Sequence, residues 1–232
     1  SRTTWRIGFA SYTLPIAAIG LMLVVVGIPA VEKHEDASVN LLDGFRAVFR
    51  NRSATAYLLA GAMATSLFSG IQVFNGSFLR QQFALPIATV SRLLPLTAIS
   101  VTVGLLISNR LVERIGLKKV VYVTTFSSAV CYLMYFALGM DLTPSLVFMV
   151  LGSLLTGIRL ATSSTLGLIQ ETRYRGSMMA LTTAGMSLGG VIGALLGGYA
   201  LLSYGYAGLG IAITSLSFVA TFIYVFWVRS EP

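Results

Sequence analysis

Long apolar runs separated by short polar segments dominate the chain, and each run is long enough to cross a bilayer as a helix, which takes about 20 residues. Apolar and polar positions do not alternate with period two inside the runs, so the strands of a membrane barrel are not indicated. A helix satisfies its backbone hydrogen bonds within the segment. The pattern therefore predicts an all-α, polytopic membrane protein of about seven transmembrane helices. The runs are residues 7–31, 54–76, 87–108, 120–139, 145–169, 177–203 and 207–228.

The first connection, residues 32–53, differs from the other, short turns in its length and pattern. It opens with a charged run at 32–36. Between residues 41 and 50 the apolar positions share one helical face, and the charged positions lie off it. This pattern predicts a short amphipathic helix on the membrane surface. The apolar positions are Leu41, Leu42, Phe45, Val48 and Phe49, and the charged ones are Asp43, Arg46 and Arg50.

Basic residues are distributed unequally between the two sides of the predicted spans. If the 32–53 connection is cytoplasmic, eleven Lys and Arg lie in cytoplasmic segments and three lie outside. Basic residues collect on cytoplasmic loops. The N-terminus of the chain is then predicted outside and the C-terminus inside. The eleven are Lys33, Arg46, Arg50, Arg52, Arg110, Arg114, Lys118, Lys119, Arg173, Arg175 and Arg229, and the three are Arg2, Arg6 and Arg80.

Composition supports a chain whose solvent is mostly lipid. The sequence is 56% hydrophobic and only 10% charged, whereas soluble domains carry about 25% charged residues. The net charge of +8 follows from the basic loops, and no basic patch interleaved with exposed aromatics indicates nucleic-acid binding. No constellation typical of a metal site or a catalytic nucleophile occurs, so we expect no cofactor and no enzyme activity.

The connection between the third and fourth spans has a compact charged pattern. It resembles the G-x-L-A-D-R-x-G-R-K signature of the major facilitator superfamily, with glutamate in place of aspartate and departures at Asn109 and Leu117. Gly116 permits a tight turn between two closely packed helices. The motif residues are Leu111, Glu113, Arg114, Gly116, Lys118 and Lys119.

Other segments are similar to the same family, especially its drug-efflux and sugar-efflux branches. The turn that contains Glu171, Arg175 and Gly176 resembles the one between the tenth and eleventh helices. Trp5, Arg6 and Phe9 resemble the start of the sixth helix. The resemblance implies that the spans are helices six to twelve. The chain then divides into a helix ending the N-terminal half (1–31), the cytoplasmic central loop (32–53), a six-helix C-terminal half (54–228) and a cytoplasmic tail (229–232).

The resemblance implies secondary active transport of a small organic solute by alternating access, in the efflux direction and by antiport. Its implied setting is the plasma membrane, in bacteria the inner membrane. The polar stub at 1–6, without an initiator Met, suggests a fragment whose partner is the N-terminal half of the same transporter. The alternative is a self-sufficient seven-helix protein, either a half-size transporter that works as a homodimer or a receptor.

Arg159 is the most informative polar residue within a span because it falls near the middle of the fifth run. A charge at that depth costs at least roughly 2.5–3.5 kcal/mol, so it needs a wet or paired environment. Small and polar residues share its helical face, which predicts a water-filled substrate cavity; a purely structural pair with a neighbouring helix is the alternative. The other members of this stripe are Gly152, Thr156, Ser163, Gly167 and Gln170.

Two other spans carry candidate residues. One face of the second span is polar and either lines the cavity or makes interhelical hydrogen bonds. Arg92, in the third span, is a weaker cavity candidate because it can extend to the interface. Four glycines at period four in the sixth span predict a smooth face for close helix packing. The polar positions are Thr65, Ser69, Gln72 and Asn75, and the glycines are Gly185, Gly189, Gly193 and Gly197.

All eight acids lie in loops or at span ends. A proton-coupled transporter commonly has a carboxylate at membrane depth. Coupling to protons or another ion is left open, and a proton site is expected in the other half. Arg159 then pairs with that acid or attracts an anionic group of the substrate.

Overall fold

A computed structural model describes residues 41–137 and 141–229, together with Pro15, Ala18, Ile19 and Met22. The predicted first span at 7–31 lies outside the described residues apart from those four positions. The charged run at 32–36, the stub at 1–6 and the last three residues of the tail also lie outside them.

The described backbone consists of six helices and no strand. Five of the six are long and apolar enough to cross a membrane. This confirms the predicted all-helical membrane architecture, while the total of seven spans stays a prediction. The helices are α1 (Leu41–Arg50), α2 (Arg52–Gln82), α3 (Ile87–Ile115), α4 (Leu117–Ala137), α5 (Leu142–Gln170) and α6 (Arg175–Phe226).

Helix α6 contains 52 residues, which would make a straight helix about 78 Å long. That length is more than twice the thickness of a bilayer core, about 30 Å. Gly205 interrupts the helix with φ 67° and ψ −162°, a conformation that glycine adopts without a steric penalty. The interruption falls where the sequence predicts a turn. We call the two arms α6a (175–204) and α6b (206–226).

Asn51 and Gly116 mark two of the helix ends. Asn51 caps α2, because its side-chain oxygen accepts hydrogen bonds from the backbone N–H groups of Ser53 at 3.0 Å and Ala54 at 3.3 Å. Helix α3 continues past the apolar run that ends at 108, because backbone hydrogen bonding does not depend on apolar side chains. It ends at Gly116, whose φ of 88° breaks the helix.

The spans pack mainly as α2 against α6, α3 against α5, and α4 against both α5 and α6. Two buried clusters form the core. One lies at the end of the bundle that carries α1 and includes Val48, Leu166 and Met178. The other lies towards the opposite end and includes Phe78 and Met149.

Glycines of α6a let this helix approach α2 closely. A Cβ atom at Gly189 would overlap the carbonyl group of Ala62 in α2, and one at Gly193 would overlap that of Ser66. The other two glycines of the stripe do not meet the α2 backbone so closely. A Cβ atom at Gly185 would have its nearest neighbour at 3.7 Å, and one at Gly197 would lie 2.8 Å from the Phe74 ring. Small residues at helix interfaces serve this purpose in membranes.

Helix α1 packs against the bundle through one narrow side. A Cβ at Gly44 would overlap the Ser177 side chain of α6, and Val48 is fully buried. Phe49, predicted to share the apolar face of Val48, is 60% exposed. The amphipathic helix is therefore present, but only part of its apolar face packs on the bundle.

Candidate functional site

Arg159 lies in the interior of the helical bundle. Its side chain is 1% exposed, although burying a charge is costly unless the charge is paired and hydrogen-bonded. Among the residues that the structure describes, neither terminal guanidinium nitrogen has a hydrogen-bond partner. A buried donor left without a partner is costly, so this side chain requires an explanation.

Three buried tyrosines from three other helices lie within electrostatic range of Arg159: Tyr57 of α2, Tyr132 of α4 and Tyr224 of α6b. The Tyr57 hydroxyl donates to the Ser163 carbonyl oxygen at 2.7 Å. The Tyr57 and Tyr224 rings meet edge to face with centroids 6.2 Å apart. Phenolic oxygens and ring faces both attract a cation, but among the described residues none of the three hydroxyls forms a hydrogen bond with the terminal guanidinium nitrogens. We call these four residues the Arg159 cluster.

The small-and-polar stripe on α5 faces this cluster and not an open cavity. A Cβ atom at Gly152 would lie 2.9 Å from the Tyr132 ring, and one at Gly167 would lie 2.7 Å from the Tyr57 hydroxyl. Thr156 and Ser163 are buried as well. This differs from the predicted water-filled cavity, because large tyrosine rings occupy the space that the small side chains leave.

The polar face predicted on α2 is divided between the interior and the surface. Asn75 is fully buried, and its side-chain oxygen accepts a hydrogen bond from the Tyr135 hydroxyl at 2.6 Å. Thr65 is buried and donates to the Gly61 carbonyl oxygen at 2.8 Å. Ser69 is half-buried, whereas Gln72 is exposed.

A cleft of about 690 Å³ lies between α2 and α3, at the end of the bundle away from α1. Ser77, Arg80 and Gln81 line it from α2, and Ser91 lines it from α3. The neighbouring Arg92 is exposed but does not line the cleft. The cleft combines cationic and neutral hydrogen-bonding groups, and no acid occurs among the described residues that line it.

The signature loop connects two helix ends at the α1 end of the bundle. The Lys118 ammonium donates to the Val225 carbonyl oxygen of α6b at 3.0 Å. Leu111 is half-buried, while Glu113, Arg114 and Lys119 are exposed. A Cβ atom at Gly116 would have no neighbouring atom within 4 Å. The backbone conformation at Gly116, and not crowding, therefore requires glycine.

The turn after α5 forms a second connection at the same end. The Asn51 side-chain amide donates to the Gln170 carbonyl oxygen at 2.9 Å, and Gln170 also donates to the Arg229 carbonyl oxygen at 3.2 Å. Of the predicted turn residues, Glu171 is half-buried, whereas Arg175 and Gly176 are exposed.

Sequence reasoning missed the aromatic part of the Arg159 cluster and a second close helix contact. A Cβ at Gly104 would overlap the Leu154 carbonyl oxygen, and one at Gly157 would overlap that of Val101. Neither glycine belongs to a period-four series in its span, so no such signal marks them. No three His, Cys, Asp or Glu side chains in the described segments come together as metal ligands.

Five helices that are long and apolar enough to cross a membrane, packed through close glycine contacts, define a polytopic helical membrane protein. The family model described as Major Facilitator Superfamily matches residues 77–232. That match covers more than half of the 232 residues. The chain belongs to the major facilitator superfamily, and it is a membrane transporter of that type.

Proposed function

We propose that the protein moves a small organic solute across the membrane by secondary active transport with alternating access, in the efflux direction. The observation that carries the proposal is the buried Arg159 guanidinium, which lies inside a transporter half of the major facilitator type. Such a charge serves transport when the surroundings of the guanidinium change between the states of the transport cycle.

Burial of the Arg159 guanidinium carries a free-energy cost. Removing an ion from water costs several kcal/mol even after the protein relaxes, and an apolar side chain of similar size at such a position is often neutral or stabilising. Among the described residues, no hydrogen bond to the terminal guanidinium nitrogens offsets that cost. An arginine retained at this position is therefore better explained by a role in the cycle than by stability.

The charges of this half favour a neutral or anionic solute. Arg159 lies at membrane depth, and Arg80 lines the cleft between α2 and α3. The eight acids fall in loops or at span ends. A cationic solute would meet repulsion at both positions, whereas a carboxylate or another anionic group gains a charge-assisted hydrogen bond.

A second six-helix half is the partner that this proposal requires, because substrate sites of such transporters lie between two repeats near the bilayer midplane. We place the protein in the plasma membrane, the inner membrane in bacteria, with the α1 end of the bundle cytoplasmic. The excess of basic residues at that end supports this orientation. A homodimer of this chain is the alternative way to enclose a path.

Vesicles of opposite orientation test both the activity and its direction. The protein is expressed in bacteria, and fluorescein (an anionic dye) and ethidium (a cationic dye) are offered to inside-out and right-side-out membrane vesicles. We expect energised inside-out vesicles to accumulate fluorescein in preference to ethidium. The Arg159→Ala variant, present at equal levels in the membrane, should lose at least about 90% of this accumulation, a change of roughly 1.4 kcal/mol or more.

Three results would each contradict a different part of this proposal. Accumulation in right-side-out vesicles alone would overturn the efflux direction. A preference for ethidium would overturn the proposed solute charge. Unchanged accumulation by Arg159→Ala would remove Arg159 from the mechanism.

A further inference from the structure

A cavity of about 750 Å³ opens at the α1 end of the bundle, where α1, α2, α4 and the segment after α6b meet. This end is separate from the Arg159 cluster and from the cleft between α2 and α3. The residues that line it are Arg50, Asn51, Arg52, Ser53, Lys118, Phe226, Trp227, Val228 and Arg229.

Among the described residues that line the cavity, four are cations and none is an acid. Arg50 and Arg52 flank the N-terminal cap of α2, a helix of 31 residues. Like charges gathered this closely repel one another, and an anion in the cavity relieves that repulsion.

Hydrogen bonds fix the walls of the cavity. The backbone N–H of Arg229 donates to the Ser53 hydroxyl at 2.8 Å, and the Ser53 hydroxyl donates to the Gln170 side-chain oxygen at 2.5 Å. Lys118 is held to the Val225 carbonyl oxygen at 3.0 Å. Lys118 therefore uses one donor within the protein, whereas Arg50, Arg52 and Arg229 are exposed at the rim of this fixed frame.

An apolar groove of about 440 Å³ adjoins the cavity and shares Arg52 and Trp227 with it. Its other lining residues include Phe49 and Leu59, which are 60% and 52% exposed. Trp227 is 58% exposed between the two spaces. Tryptophan is enriched at the level of lipid headgroups, so a basic cavity beside an apolar groove suits an amphipathic anion.

We propose that this cavity binds the phosphate headgroup of an anionic phospholipid, with one acyl chain along the groove formed by Phe49, Leu59 and Trp227. Basic pockets between transmembrane helices bind such headgroups. The site joins α1 to the ends of α2, α4 and α6b, so the bound lipid holds these elements together. The inference depends on the membrane location of the chain and not on its substrate or direction of transport.

Quenching of Trp227 fluorescence by brominated lipids tests the proposal directly. The protein carries two tryptophans, so the Trp5→Phe background isolates Trp227. It is reconstituted into vesicles of phosphatidylcholine that contain increasing fractions of brominated phosphatidylglycerol or brominated phosphatidylcholine. We expect phosphatidylglycerol to quench at lower fractions than phosphatidylcholine, because only its headgroup carries a net negative charge.

Charge-matched variants separate a built site from the general field of a basic surface. Arg50→Gln with Arg52→Gln removes two cavity cations and should lower the preference for phosphatidylglycerol about 25-fold, or about five-fold for each arginine. Arg46→Gln with Arg173→Gln removes the same charge from the same end, outside the cavity, and should leave the preference unchanged. Circular dichroism confirms folding, and the single Arg50 and Arg52 variants serve if the double variant unfolds.

Three results would overturn the proposal. Equal loss of preference in both double variants would indicate a diffuse field. Equal quenching by the two brominated lipids would mean that no headgroup site exists. Unchanged quenching in Leu59→Gln, together with reversal of quenching by millimolar inorganic phosphate, would assign the cavity to a free phosphate and exclude an acyl chain from the groove.

Discussion

A methyl group at position 193 has no room between α6a and α2. A Cβ atom there would overlap the Ser66 carbonyl oxygen and would lie 2.8 Å from the carbonyl carbon and 2.9 Å from the Cα atom. All three are backbone atoms of a helix, so no side-chain rotation relieves the overlap. The Gly193→Ala variant must instead separate the two helices by about 1 Å, since carbon atoms prefer about 3.5–4.0 Å.

The expected loss of stability follows from two opposing terms. Overpacking costs typically 1–3 kcal/mol, and the upper end applies because backbone meets backbone. Alanine recovers up to about 1 kcal/mol of helix propensity relative to glycine. The net destabilisation is about 2 kcal/mol, which lowers the melting temperature by about 4–8 °C for a domain of this size.

Gly185 supplies a matched control on the same helix and in the same stripe. A Cβ there would have its nearest neighbour, the Leu58 carbonyl oxygen, at 3.7 Å, an ordinary contact. Gly185→Ala should therefore melt at the same temperature as the wild type or slightly higher. Thermal unfolding of the detergent-solubilised protein, followed by circular dichroism, compares the two variants. Similar melting temperatures for both would refute the assignment of close backbone contact to Gly193.

Three further changes follow from single contacts. Gly116→Val places a branched side chain at φ 88° and ψ 147°, a region nearly restricted to glycine. The variant should slow transport turnover several-fold with solute affinity unchanged. Weakened solute affinity with unchanged turnover would contradict this prediction. Tyr135→Phe removes the 2.6 Å bond to Asn75 and should cost about 0.6–1.7 kcal/mol in thermal unfolding; no loss would mean that Asn75 finds another partner. Asn51→Ala removes the cap of α2 and should cost about 1 kcal/mol, seen as faster amide exchange at Ser53 and Ala54; unchanged exchange would contradict the capping role.

The sequence was sufficient to predict the helices because lipid imposes a simple rule on apolar runs. The predicted runs at 87–108 and 145–169 lie inside α3 and α5, and the predicted turn at Gly205 matches the interruption of α6. The ends were less predictable. Helix α3 extends seven residues beyond its apolar run, to Ile115, because its backbone hydrogen bonds continue into water.

The surroundings of Arg159 could not be predicted from its own helix. A stripe of small and polar residues lines a cavity in some proteins and accommodates bulky neighbours in others. Tyr57, Tyr132 and Tyr224 decide between these cases, and they lie far from Arg159 in sequence. Which face of α5 turns inward depends on the packing of the other helices, which one helix does not encode.

The Arg159→Met variant tests whether the buried charge serves transport, provided that its melting temperature and its solute transport are measured on the same preparation. If the buried charge serves the transport cycle, the melting temperature should stay the same or rise, because an apolar side chain of similar length avoids the cost of burying an ion. Transport should fall at least tenfold. Transport at the wild-type rate would exclude Arg159 from the transport mechanism. A loss of transport together with a lower melting temperature would instead make Arg159 a structural residue.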